Sequence, residues 1–274
     1  MKRFVLILMS LTLIIMSFTG CTIRIGDKGI KVGKTIEIGD TIVDNIQEPI
    51  GDTKELQLKL SAAIGDVNII GGSNKLIEGE IKYNVKAWKP VIIIDEDNYK
   101  KKIEIKPPKT DDIHFGNDNV YTWNIQLNEQ VPLDIIANIG IGKSNLNFSE
   151  LNVQNIKVDT GVGDSNIILN GVYNSPIDIE IKGGLGNTDI NLKGDFNENV
   201  TADIQGGLGD IDILLPKDIG VKVEVELGLG DIKVNGLKKV SEDNEKIYKN
   251  DLYDKSNVKI ILKIEAGMGD IKLR

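Results

Sequence analysis

Gly206-Gly207-Leu208-Gly209-Asp210-Ile211-Asp212-Ile213 decides the fold, because its central phrase keeps returning along the chain. Corners of the form Gly-Φ-Gly, with Φ aliphatic or methionine and usually followed by aspartate, stand at Gly140–Lys143, Gly161–Asp164, Gly184–Asn187, Gly207–Asp210, Gly228–Asp231 and Gly267–Asp270. Their second glycines are Gly142, Gly163, Gly186, Gly209, Gly230 and Gly269, in steps of 21, 23, 23, 21 and 39 residues. Periods of this size mark stacked supersecondary units. The longest step contains a charged insertion at about 238–257.

Apolar and polar residues alternate on both sides of each corner. Ile177, Ile179 and Ile181 precede one corner, and Val200, Ala202 and Ile204 the next. Ile167, Ile190, Ile213, Val234 and Leu273 follow three places after the aspartate position, with Asn166, Asp189, Asp212, Lys233 and Lys272 one place before them. Period two means strands with one apolar and one wet face. Each unit therefore reads as strand, sharp corner, strand, with Φ turned inward. The corner glycines, with Asp164, Asp210, Asp231 and Asp270, are structural turn residues. The expected fold is all-β, a single-stranded-type β-solenoid or β-helix of about 21–23-residue repeats. One rung cannot bury enough surface to fold alone; stacking supplies the rest. Helix-period segments are absent.

Ahead of the array, residues 54–130 read as a β-rich N-terminal domain, with alternation in Leu56–Leu60 and Lys102–Lys106 and an early copy of the repeat in Ile64-Gly65-Asp66. The solenoid is placed at 131–274 and a tether at 21–53. Pro107 to Asn119 is rich in turn residues and is expected to be a loop. The chain stops within a rung at Asp270–Arg274, which leaves an expected open strand edge guarded by Lys272 and Arg274 and available for self-association or a partner.

Residues 1–20 read as a signal peptide: Lys2 and Arg3, an apolar run from Phe4 to Phe18, then Thr19-Gly20 before Cys21, the sole cysteine. Gly20-Cys21 resembles the lipobox of bacterial lipoproteins, in which the cysteine receives a diacylglyceryl group and becomes the new N-terminus. The resemblance implies export and lipid anchoring through Cys21 to the outer face of the cell membrane. Cleavage before Cys21 removes two cations and no acids, leaving 31 basic and 41 acidic side chains, net −10. So acidic a chain is not expected to bind nucleic acid or to cling electrostatically to anionic lipid.

Candidate sites are few. The aspartate ridge could hold calcium, with Asp189, Asp210 and Asp212 as weak metal candidates, but capping of backbone amides by the aspartates is the favoured reading. The same carboxylates are the only candidates for acid–base chemistry on a polysaccharide, where Tyr173, Phe148 and Phe196 would be the sole aromatic platforms. No catalytic residues and no cofactor are assigned. His114 has no partners for a triad or a metal. Trp88 and Trp123 are expected in a core, with an unspecified binding role as the alternative.

Leu76–Pro90, Trp123–Asn128 running into Val131–Ile135, and Leu215–Val221 ahead of Gly228–Asp231 together resemble the bacterial toast-rack lipoproteins. The repeat portion of that family is similar to the putative-adhesin β-solenoids and to the β-domain of proteins linked to cell-envelope stress and cell-wall antibiotic responses. The resemblance implies a non-enzymatic envelope protein acting as a scaffold or interaction module, with envelope proteins as partners and a part in envelope stress sensing. An adhesin or glycan-binding surface module is the alternative, and a carbohydrate-active enzyme a third reading.

Overall fold

The computed structural model describes residues 23–26, 29–32, 38–109, 113–114, 119–241 and 246–274. Cys21 and the leader lie outside them. The regular secondary structure of the described residues is all strand apart from one 3-10 turn at Lys86–Trp88. Among the described residues no helix is long and apolar enough to cross a membrane.

Two sheets of ten and eleven strands face each other across one continuous core. Each rung contributes a long strand to one sheet, turns at a corner, and contributes a short strand to the other. The rungs are Glu55–Ile64 with Asp66–Ile70, Leu133–Ile141 with Ser144–Asn147, Val153–Val162 with Ser165–Ile168, Ile177–Leu185 with Thr188–Asn191, and Val200–Leu208 with Ile211–Leu214. All pair in parallel and in register, so that Ile156, Ile179, Ala202 and Leu262 lie side by side, as do Ile167, Ile190, Ile213 and Leu273. Those aliphatic residues are buried, as their alternation predicts.

The last two rungs are exchanged in space. Lys259–Met268 and Ile271–Leu273, last in sequence, insert between the rung at 200–214 and the rung formed by Gly220–Leu229 and Ile232–Val234. The C-terminal strand is therefore paired on both sides, which corrects the expectation of an open edge there. The insertion makes the exchange geometrically possible. Its strands Lys238–Lys239 and Lys246–Lys249 fold back antiparallel on Gly220–Leu229 and close that end of the long-strand sheet.

At the opposite end each sheet adds one strand parallel to the first rung and continues outward in antiparallel pairs. Tyr121–Leu127 pairs with Asp66–Ile70, then Ile77–Tyr83 and Ile42–Glu48 follow outward. On the long-strand sheet, Lys100–Lys106 pairs with Glu55–Ile64 and Val91–Asp97 forms the edge. Leu133–Ile141 pairs in register with Glu55–Ile64, so both sheets run without a break through the boundary expected near residue 130. The Ile64-Gly65-Asp66 phrase is the corner of the first rung. The last part of the stretch read as tether, Ile42–Glu48, is an edge strand of the folded body. Within the stretch read as loop, Ile113–His114 pairs with Gly29–Val32.

Candidate functional site

The corners form three parallel features along the stack. The first is a double column of glycines. At the second glycine of each corner φ lies between +136° and +146°, a region that side chains disfavour. A Cβ on Gly209 would also lie 2.0 Å from the carbonyl oxygen of Gly186 in the rung below, and one on Gly163 2.0 Å from that of Gly142. The first glycines have no positive φ, yet a Cβ on Gly184 would lie 2.1 Å from the Gly161 oxygen. Each corner needs glycine because the corner beneath it presses backbone against it.

The second feature is the polar ridge. Each acidic or amide side chain except that of Asp231, on the outermost rung, caps the next rung rather than its own. The backbone N–H of Lys143 donates to Asp66 Oδ1 (2.8 Å), that of Asn187 to Asp164 (3.0 Å), that of Asp210 to Asn187 (3.0 Å), that of Asp270 to Asp210 (2.8 Å) and that of Asp231 to Asp270 (3.1 Å). The capping role expected of Asp164, Asp210 and Asp270 thus appears as an inter-rung ladder. Lys143 breaks it, since an ammonium offers no acceptor to the amide of Asp164.

The carboxylates proposed as metal ligands already face cations of the chain. Arg274 forks onto Asp212 with two bonds of 2.9 Å, Lys272 lies 3.6 Å from Asp210, and Asp189 is the register partner of Asp212. Among the described residues no group of three or more His, Cys, Asp or Glu side chains is arranged to hold a metal. Lys233 and the Asp231 amide hold the Asp270 carboxyl below its ordinary range. On the outer face of the long-strand sheet, Lys182 and Lys157 flank Glu180 and lower it to about 2. Glu78, Glu80, Glu104 and Asp251 are also shifted down, each chiefly by a hydrogen-bonded lysine. Such groups stay ionised at neutral pH, whereas a general acid needs its pKa raised.

The aromatic candidates sit inside. Trp123 is fully buried and Trp88 nearly so; Trp88 stacks on Tyr121 at 5.4 Å, and the Tyr121 hydroxyl donates to the Trp88 carbonyl oxygen at 2.7 Å. Both tryptophans seal the N-terminal end of the core. Tyr173 and Phe196 stack at 5.0 Å from adjacent rungs and are buried, as is Phe148, whose carbonyl oxygen accepts from the Tyr173 hydroxyl. None of these five rings is available as a flat platform for a sugar. His114 lies in its short strand, and Cys21 outside the described residues.

The third feature corrects the expectation for Φ. Ile141, Val162, Leu185, Leu208, Met268 and Leu229 point outward, between 37% and 62% exposed. With Ile64 they are neighbours in register on seven successive rungs. At the spacing of paired strands the six exposed residues draw an aliphatic ridge roughly 24 Å long, which the half-buried Ile64 continues. The interior of the corner is already full. The missing Cβ of Gly206 would lie 2.8 Å from Ile211 Cδ1, and that of Gly183 3.3 Å from Thr188 Oγ1, so the residue after the aspartate position occupies the space expected for Φ. Beside the ridge a shallow cavity of about 520 Å³ is lined by Gly140, Gly161, Gly183, Gly184, Asn138 and Asp159. Glycine at the inward positions 183 and 206 was the signal in the sequence that the corner has no room.

Residues 31–191 match the family model described as the N-terminal domain of toast_rack, and residues 168–273 match that of the C-terminal region of LiaF, of the cell wall-active antibiotics response. Among solved structures, one described as "a putative cell adhesion protein" from Clostridium sporogenes is 28% identical, with a TM-score of 0.63, covering 86% of this chain and all of that one. Another, described as "a putative adhesin" from Bacteroides fragilis, is 10% identical, with a TM-score of 0.33, over 85% of this chain and 97% of that one. No curated relative matches the chain.

Proposed function

The chain belongs to the toast-rack family, and from that premise we propose that it is a non-enzymatic, lipid-anchored scaffold of the cell envelope that docks partners along its solenoid corners. The observation that carries this reading is the exposed aliphatic ridge from Ile141 to Leu229. Contiguous exposed apolar surface, rimmed by polar residues, is a mark of interaction surfaces. Here the rim is the aspartate ladder, and the backbone beneath it is locked by glycine stacking. Anchoring follows from Cys21, whose two acyl chains would hold the chain at the outer face of the membrane. The lowered carboxylates and buried aromatic rings favour a scaffold over a carbohydrate-active enzyme.

Crosslinking and affinity capture of the full chain in intact cells, followed by mass spectrometry, tests the reading. The expected result is capture of an envelope membrane protein, lost about tenfold or more in a Leu185→Asn/Leu208→Asn variant that keeps its strand circular dichroism. Recovery of wall polymer alone would move the function to adhesion, the second reading, which the similarity to the Clostridium sporogenes structure favours. Cys21→Ser is expected to release the chain from membranes, and retention of that variant would remove the lipid anchor from the proposal.

A further inference from the structure

Four sheet edges end the stack, and three of them are guarded. Lys238–Lys239 is two residues long and basic, Ile232–Val234 is three residues long, and Ile42–Glu48 carries Asp44 and Glu48 and runs into Pro49. Short strands, charges and proline are the usual protections of an edge. The fourth edge, Val91–Asp97, follows Pro90 and ends in Asp95, Glu96 and Asp97, but its first four residues carry no charge. Val91, Ile92, Ile93 and Ile94 are consecutive, and they are 39, 38, 44 and 46% exposed. Among the described residues only Lys100–Lys106 pairs with this strand, on one side.

We propose that this edge is a homodimer interface, in which the Val91–Asp97 strands of two copies pair antiparallel about a two-fold axis through Ile93. The geometry of the hairpin fixes which backbone groups are free to pair. Asn98 and Tyr99, both at positive φ, make a two-residue turn closed by the pair Asp97 and Lys100. Such a closing pair is hydrogen-bonded within the hairpin, so the backbone groups of Asp97, Asp95, Ile93 and Val91 face Lys100–Lys106. Those of Ile92, Ile94 and Glu96 face outward, unpaired.

A two-fold antiparallel pairing must pass through a residue, since opposed residues share a face. Centring on Ile93 sets Ile93 against itself, Ile92 against Ile94 and Val91 against Asp95, and brings Lys89, which follows the 3-10 turn just before the strand, opposite Asp97. It also sets Glu96 against Pro90, a buried residue with no N–H to give, so the new ladder ends there. Centring on Ile94 would instead oppose Ile92 to Glu96 and Ile93 to Asp95, and centring on Ile92 would set Pro90, which has no N–H, against Ile94 and leave Glu96 without a strand partner. Lys89 and Asp97 are both exposed and make no ion pair among the described residues. The charges at the two ends of the strand are thus complementary to the same strand reversed. The occupant that satisfies the apolar half, the acidic half and Lys89 together is a second copy.

Cysteine scanning on the full chain in cell-derived membranes tests the register, with the wild-type chain as the background for Cys21. Residues opposed at a non-hydrogen-bonded position have Cα atoms about 4.5 Å apart, within the range of a disulfide. Ile93→Cys is expected to give a disulfide-linked dimer under mild oxidation, at least tenfold above Val91→Cys, whose own symmetry mate is four residues out of register. Sedimentation of the purified chain is expected to show a dimer that becomes monomer in Ile94→Lys and weakens severalfold in Lys89→Glu. Equal linkage at both cysteines, linkage of Ile93→Cys to a protein of another mass, or a monomeric wild-type chain would each overturn the proposal.

Discussion

Gly209 combines two constraints that are usually separate: φ of +145° and a carbonyl oxygen 2.0 Å from where its Cβ would lie. Gly236 has only the first, at φ +81° with nothing within 4 Å. Gly236→Ala is therefore expected to cost about 1 kcal/mol, the ordinary penalty of left-handed backbone. Gly209→Ala should cost roughly 2–4 kcal/mol, because the rung below must also move. Urea titration of both variants separates stacking from backbone strain, and equal losses would show that stacking adds nothing. The ladder makes a prediction of the opposite sign at Lys143. Asn187 shows that an amide side chain can cap the next rung, at 3.0 Å from the Asp210 nitrogen. Lys143→Asn supplies the acceptor missing for the Asp164 amide and is expected to stabilise the chain by about 1 kcal/mol, read as a higher urea midpoint at unchanged slope. The need for glycine at these corners was legible in the sequence, since no other residue tolerates such turns. The outward direction of Φ was not, because alternation carried through the first glycine turns Φ inward, whereas that space is already filled by the residue after the aspartate position.

At the scale of the rung, the exchange of the last two units turns the C-terminus into interior sheet. Leu227–Val234 and Ala266–Leu273 read Leu-Gly-Leu-Gly-Asp-Ile-Lys-Val and Ala-Gly-Met-Gly-Asp-Ile-Lys-Leu. The two phrases present the same pattern of glycine, aspartate and inward aliphatic residues, so either fits either slot, and the repeat pattern alone could not order them. What distinguished them was the 39-residue step, long enough to cover an edge with a hairpin and return one rung inward. Terminal residues normally fray and exchange their amide protons quickly. Here the Ile271 amide donates to Asp231, and the amides of Leu215 and Asn235 donate to Arg274 and Leu273. Hydrogen exchange is expected to find Ile271 protected to about the same degree as Ile190, a residue of a central rung. Fast exchange at Ile271 with slow exchange at Ile232 would mean that the rungs stack in sequence order after all.

At the scale of the whole molecule the issue is whether residue 130 divides anything. Composition suggested that it does, because the regular repeat becomes legible only after it, while the earlier rung is hidden by Ala63 in place of the first glycine and by a 50-residue excursion into the antiparallel cap, from about 71 to 120. In the folded chain Leu58 lies beside Ile135, and Ile135 beside Ile156. The contact across the expected boundary is of the same kind as those within the array. A stack without a weak joint should lose its two ends together, even though nearest-neighbour coupling alone allows unzipping. Trp88 and Trp123 are the only tryptophans, and both lie in the N-terminal cap, so fluorescence reports that end while far-ultraviolet circular dichroism reports every strand. The two urea transitions are expected to coincide. Gly209→Ala, four rungs away from the cap, should lower the fluorescence midpoint as much as the dichroism midpoint. A fluorescence transition left in place by that substitution would mean that the cap and the distal rungs fold as separate units. The rigid continuity on which both the ridge and the edge depend would then be lost.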